Sequence, residues 1–187
     1  MLAKVHLTLG NYAEAKTLCE SVVSAGFSLE PDFKDVFYSE GNNEVIFAVG
    51  YIPDDTKDSQ NFSTEWLNAV GRTAGVNYVT NDAVAVLNEK GGDRTAYSYR
   101  QDALQSAQNQ VVKYLPDGDA TLGIPATSSN PSLAGNDWIV IRYADVLLMH
   151  VEAVINAGSG VSTTDAKALV SFQAVRDRAG LTDVVTS

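Results

Sequence analysis

One cysteine, two histidines and no apolar run near eighteen residues long remove several functions from consideration. A lone thiol cannot close an internal disulfide, and Cys19 falls inside an apolar helical stripe, where a small buried hydrophobe is the natural reading. His6 and His150 each lie within a helical pattern. Neither stands near a Cys, Ser or Asp at the spacing that activates a nucleophile. No glycine-rich phosphate loop occurs. Asp54, Asp55 and Asp58 lack the glycine and ligand spacing of a calcium loop, and Asp117-Gly118-Asp119 is too short for one, so both read as solvated surface. The residues therefore suggest no catalytic centre, no metal and no cofactor. A glycan hydrolase stays the weakest reading, since twenty-three acidic residues always offer some carboxylate pair.

Basic residues are also in short supply. Thirteen Lys and Arg against twenty-three Asp and Glu give a formal charge of -10. Phosphate backbones are held by clustered cations, so nucleic acid is not an expected partner. What the chain does have is enough apolar material, 45% of 187 residues, to bury one substantial core. Met1 runs straight into LAKVHLTLG, a helix already in progress with no capping residue before it. The expectation is a piece of a longer protein, with any targeting signal outside it.

Periodicity divides the chain into three stretches. In residues 1–26, Leu2, Val5 and Leu9 trace one helix ending at Gly10-Asn11, and Tyr12, Ala15, Leu18, Cys19, Val22 and Ala25 trace a second, closed by Gly26. LGNYAEAKTLCESVVSAG resembles the second half of a tetratricopeptide repeat. Residues 27–137 are richer in strands and loops. NEVIFAVGY predicts a strand over 44–49, Thr80 can cap a helix from Asn81 to about Asn88, and KGGDRTAYSYRQDAL begins as a turn and can pass into a strand. Three prolines with Gly, Ser, Thr and Asn predict an irregular, mobile segment over 116–137. Residues 138–187 form a second helical hairpin. WIVIRYADVLLMHVEAVINA places Ile141, Ala144, Leu148, Val151 and Ile155 on one predicted helix face, widened by Leu147 and Val154. A further helix runs from about Ser162 to Arg178 and closes at Gly180.

Four segments in order carry a family resemblance: LAKVHLTLGNYAEAKTLCESVVSAGFSL, NNEVIFAVGY, GVNYVTNDAVAVLNEKGGDR, and NDWIVIRYADVLLMHVEAVINAG followed by VSFQAVRDRAGL. Together they resemble the C-terminal half of the SusD/RagB family, and that half only. Its members carry an RYADVLLM(Y)AEA helix and a VRxRAG ending; His150 and Val151 stand here where Tyr and Ala are usual. The resemblance implies a mainly α, SusD-like fold, with tetratricopeptide-like helical hairpins and a loop-rich central region containing short strands. It also implies a non-enzymatic binder of oligosaccharide or polysaccharide at the outer face of the outer membrane. Such a protein works beside a SusC-like TonB-dependent transporter and is held by a lipid anchor outside this sequence. Cys19, inside a helix, does not match the lipidated cysteine.

Within that frame the expected sugar contacts are Trp66 and Tyr78, whose rings can pack on the C–H face of a pyranose, with Asn77 and Arg72 as hydrogen-bond donors. Trp138, Tyr143 and Arg142 are expected in packing roles at the start of the long helix. Arg142 with Asp145, and Glu152 with Arg176 or Arg178, are expected as structural ion pairs. The competing reading is a tetratricopeptide-type protein-interaction scaffold, which accounts for both hairpins but gives the stretch between them no purpose.

Overall fold

In this computed structural model the chain collects into two compact units, one built mainly of helical hairpins and one rich in loops. The structure describes residues 1–66, 77–102 and 105–187. The first unit comprises Met1–Pro31, Gly41–Phe47 and Ile139–Ser187; the second comprises Asp32–Glu40 and Ala48–Trp138.

The first unit is a stack of helical hairpins. Helix α1 (Leu2–Thr8) packs on α2 (Tyr12–Val23), α2 packs on α5 (Tyr143–Ala157), and α5 packs on α6 (Ala166–Arg178). Small side chains make this possible. Ala15 and Cys19 on α2, Ala144 and Ala153 on α5, and Ala168 on α6 are fully buried, so the backbones approach closely where they cross. Ala3, Cys19, Ile141 and Val146 form the apolar centre, with Leu18, Val22, Ile46, Val140 and Met149 packed around it. Helix α6 opens on Asp165, whose Oδ1 accepts from the N–H groups of Lys167 and Ala168, each at 3.0 Å. It closes at Gly180, where φ of +73° lets the Leu181 N–H turn back to the Arg176 carbonyl. Strands β1 (Val45–Val49) and β4 (Trp138–Arg142) pair alongside.

The face of α5 differs from the predicted one. Residues 138–142 are a strand, because WIVIR pairs with β1, so the helix starts only at Tyr143. Ala144, Leu147, His150 and Val154, flanked by Val146 and Ala153, then turn inward, while Leu148 is 39% exposed. Contact with helices on two sides selects this stripe over the one read from periodicity.

A buried charge cluster ties the hairpins together. Glu44, 0% exposed, accepts from Arg142 Nη1 at 3.1 Å and Arg178 Nη1 at 2.8 Å, and from the Glu30 backbone N–H at 2.9 Å. Arg142 Nε also lies 3.5 Å from Asp145 Oδ1, and the Arg142 N–H donates to the same carboxylate, closing the first turn of α5. Glu152 is exposed and takes no part. Arg176 pairs with Asp183 instead. Two residues apart on a helix means about 200° of rotation, so Arg178 reaches inward to Glu44 only if Arg176 faces away.

The second unit has little regular structure. It holds the one-turn helix α3 (Asp35–Tyr38), helix α4 (Asn81–Lys90) and a short antiparallel pair, β2 (Tyr99–Gln101) with β3 (Asn109–Val111) in the register Arg100↔Gln110. Thr80 caps α4 by accepting from the Ala83 N–H. Its core gathers Val112, Leu115 and Ile124 with Tyr38, Trp66, Tyr97 and Leu122. Side-chain hydrogen bonds do much of the work that ladders do elsewhere. The Tyr38 hydroxyl donates to the Val112 carbonyl at 2.6 Å and accepts from the Leu115 N–H at 2.9 Å. Burial pushes that phenol far above its ordinary range, which keeps it a donor. Residues 116–137 are irregular as expected, yet Pro116, Ile124, Ala134 and Asn136 are buried.

Candidate functional site

Aromatic side chains scattered from Phe33 to Trp138 converge in the second unit. Tyr114, in the loop after β3, is the hub. Phe37, Phe62 and Trp66 meet it edge-on, with ring centroids at 5.8, 5.4 and 6.4 Å. Trp138 stacks on it at 5.9 Å with 17° between the planes. Phe62 also meets Tyr51 edge-on at 6.1 Å and Trp138 at 5.1 Å. Both geometries suit aromatic quadrupoles, and each such pair adds about 0.5–1.5 kcal/mol beyond its buried area. Lys113 lies over the Phe37 ring at 5.3 Å, extending the cluster with a cation. Most of these rings are half-buried, but Trp138 is 41% exposed and gives the cluster an open face.

Beside that face is a groove of about 400 Å³ lined by Tyr51, Thr56, Ser59, Gln60, Asn61, Phe62, Ser132 and Leu133. Among the described residues its lining is two rings, a leucine, hydroxyls and amides, with no charged side chain. The chain folds this way because segments 51–62 and 132–134 are linked by backbone: Gln60 and Ala134 exchange both N–H···O bonds at 2.9 Å. Gln60 is spent internally, its amide bonding Ser63 from both ends. Asn61 and Thr56 are exposed. The Tyr51 N–H is held by Asp137 Oδ1 at 3.0 Å, which fixes one edge of the groove next to the start of β4. A sugar ring laid on an aromatic plane, with its hydroxyls facing neutral donors and acceptors, suits these groups.

The four residues singled out from sequence fall in different places. Trp66 belongs to the cluster, but packs inward on Val112, Leu115 and Ile124 as well as Tyr114. Tyr78 is 39% exposed and Asn77 is exposed; they precede α4, where the Val79 N–H reaches the Asn109 carbonyl, and neither lines the groove. Arg72 lies outside the described residues. Trp138, assigned from sequence to packing at the start of the long helix, instead opens β4 and faces solvent. Tyr51, Phe62 and Tyr114 were missed because nothing local marks them. Tyr51 and Tyr114 follow short strands and Phe62 opens a single 3-10 turn, and only the folded chain brings them together.

Two further groups qualify the chemistry. Among the described residues no three His, Cys, Asp or Glu side chains gather as metal ligands, and no helix is long and apolar enough to cross a membrane. In the first unit, Cys19 is buried and its thiol is pushed up to about 11 by desolvation.

A search of curated proteins finds no match. Solved structures do match. A SusD superfamily protein from Parabacteroides distasonis shares 23% identity with a TM-score of 0.74, over 100% of this chain and 44% of that one. Surface glycan-binding protein A from Bacteroides thetaiotaomicron, in complex with laminarihexaose, shares 16% at a TM-score of 0.71, over 98% and 46%. Surface glycan-binding protein A from Bacteroides fluxus shares 20% at 0.67, over 98% and 44%. At these identities the likeness is one of fold, and the chain spans less than half the length of each. The sequence-based limit of the resemblance to a C-terminal half only is corrected by these matches, since the likeness runs over nearly the whole of this chain. With residues 20–187 matched by the SusD family, the chain belongs to that family.

Proposed function

We propose that this chain binds neutral oligosaccharide on the open face of its aromatic cluster, without turnover, as part of a nutrient-capture protein at the bacterial outer-membrane surface. The observation that carries the reading is Trp138, 41% exposed, stacked on Tyr114 and adjoining through Phe62 a groove lined without charge. A pyranose presents C–H bonds on one face and hydroxyls around its rim. The Trp138 indole supplies the first match, and the groove reached through Phe62, with Asn61, Thr56 and Ser59, supplies the second. A groove whose described lining carries no charged side chain, in a chain of net charge -10, favours uncharged sugars over uronates or sulfated glycans.

Trp66 acts in this reading as the support behind Tyr114. Tyr78 and Asn77 form a separate exposed pair that can touch a longer chain. The solved relatives add support: one is held with laminarihexaose and another is described as a laminarin-binding SusD-like protein. Family membership extends the proposal to a lipid anchor outside this chain and to transfer of the captured sugar to a SusC-like TonB-dependent transporter. The 27–137 stretch, extended by Trp138, is then the ligand-facing part, and the hairpins at 1–26 and 139–187 are its scaffold.

Isothermal titration of the whole protein against starch-, laminarin-, xyloglucan- and mannan-derived oligosaccharides tests the reading. Saturable binding of one class with no new reducing ends over a long incubation is the expected result. Silence across the panel, or release of shortened sugars, would overturn it.

A further inference from the structure

Asp54 is the single non-glycine residue with a left-handed backbone among the described residues, at φ of +61°. That conformation is uncommon for a residue bearing a Cβ, though Asp tolerates it better than most. What it achieves is visible in its partners. Asp54 Oδ1 accepts from Ser128 Oγ at 2.7 Å and from the N–H groups of Ser129 and Asn130, both at 3.1 Å. In the other direction, the Asp54 N–H donates to the Leu133 carbonyl at 2.9 Å. One exposed residue thus holds both ends of the 128–133 segment.

The same two segments meet at two further points. Gln60 and Ala134 form their reciprocal bridge, and Gly135 sits so close to Pro53 that a Cβ there would come within 2.5 Å of the proline ring. Among the described residues the groove beside the aromatic cluster is walled by these segments: 51–62 supply Tyr51, Thr56, Ser59, Gln60, Asn61 and Phe62, and the opposite wall is Ser132 and Leu133. The separation of the walls is therefore set at one end by the Gln60–Ala134 bridge and at the other by Asp54.

We propose that Asp54 is a positioning residue for the ligand groove: its carboxylate clamps Ser128–Asn130 against the 53–60 loop and fixes the groove's width without lining the groove itself. The inference rests on the glycan-binding reading. Its physical basis is that three donors converge on one carboxylate, and charge-assisted hydrogen bonds are stronger and more directional than neutral ones. The Ser128 hydroxyl, followed by the backbone donors, holds this carboxyl below its usual range, which favours the ionised, accepting form.

The test compares the wild type with Asp54→Gly, Asp54→Asn and Ser128→Ala in the whole protein. Binding is titrated with laminarihexaose and a xylogluco-oligosaccharide, and amide exchange is followed at Ser129 and Asn130. Asp54→Gly keeps the left-handed backbone and loses the acceptor; affinity should fall about tenfold and exchange at both amides should quicken. Asp54→Asn keeps a carbonyl acceptor and the backbone, and should recover affinity to within about threefold of wild type. Ser128→Ala removes one donor with little risk to folding and should weaken binding about two- to threefold. Unchanged affinity in Asp54→Gly, or equal losses in the Gly and Asn variants, would overturn the positioning role. If the wild type binds neither these two sugars nor the starch- and mannan-derived ones, the glycan reading fails on its own. Exchange then decides the clamp: quickened exchange in Asp54→Gly retains it, and unchanged exchange sinks it.

Discussion

Where the helical unit buries alanines and a cysteine completely, the loop-rich unit assembles rings that are mostly only half covered. The first arrangement favours close backbone approach and a dry centre; the second keeps large apolar faces near water. The charged groups divide less cleanly, since the loop-rich unit also buries a carboxylate, Asp102, 2% exposed and accepting from Gln110 Nε2 and the Gln105 N–H. In the helical unit one carboxylate, Glu44, is fully buried between two guanidiniums. In the other, Asp54 works at the surface, accepting from a serine and two backbone amides. A buried ion cluster is costly to break, whereas an exposed clamp shapes a loop with little claim on global stability. The contrast suggests a division of labour, with stability in the hairpins and recognition in the loops.

The most severe way to test that division is Glu44→Ala. Two arginines would lose their buried partner, at a cost of about 3–5 kcal/mol in a urea unfolding series. Sugar affinity per folded molecule should stay constant, and a parallel loss of affinity would break the separation of roles. Next comes a pair within the same stretch of sequence. Ile141→Ala, in the apolar centre, should cost about 2–5 kcal/mol, and Leu148→Ala only about 1 kcal/mol, since Leu148 is 39% exposed. Equal losses would return the buried stripe to the face first read from periodicity.

Trp138→Ala should invert the pattern. Its ring is already 41% exposed, so stability should fall by only about 1–2 kcal/mol. Binding should weaken by about 2 kcal/mol, near thirtyfold, if the indole is the sugar platform. Titration and thermal melting on one preparation separate the two effects.

The smallest expected effect concerns pH. His150 is 2% exposed, with Nδ1 3.0 Å from Ser171 Oγ and Nε2 3.7 Å from Glu20 and without a hydrogen-bond partner. Desolvation lowers its pKa below the ordinary histidine value, against the pull of Glu20 and Asp165; Lys16 and Lys167 add to the lowering. The unfolded chain therefore takes up a proton more readily than the folded one. The stabilising contribution is present above about pH 6.5 and is lost as pH falls through the folded value. Melting temperature should decline on acidification in the wild type and decline less in His150→Gln. Identical slopes would show that the ring does not titrate differently on folding.

Much of the helical unit was legible because helix signals are local. Gly10 and Gly180 end helices where expected, although α6 starts at Ala166 behind Asp165 rather than near Ser162; in the loop-rich unit Thr80 caps α4 as expected. The candidate site was not legible in the same way. Trp66 packs inward on Val112, Leu115 and Ile124, and was singled out because a tryptophan among polar residues stands out. Tyr51, Phe62, Tyr114 and Trp138 do not, since each is an ordinary aromatic beside a loop.

The sequence by itself determined the class of the fold, the main helices, the first strand and the family, because periodicity, caps and motif order act over a few residues at a time. Only the tertiary structure decided which face of α5 is buried, that Glu44 rather than Glu152 receives the arginine, and which rings meet. These are contacts between residues as far apart as 44 and 178, or 51 and 137. Their energies arise from packing and desolvation, which exist only once distant segments have come together.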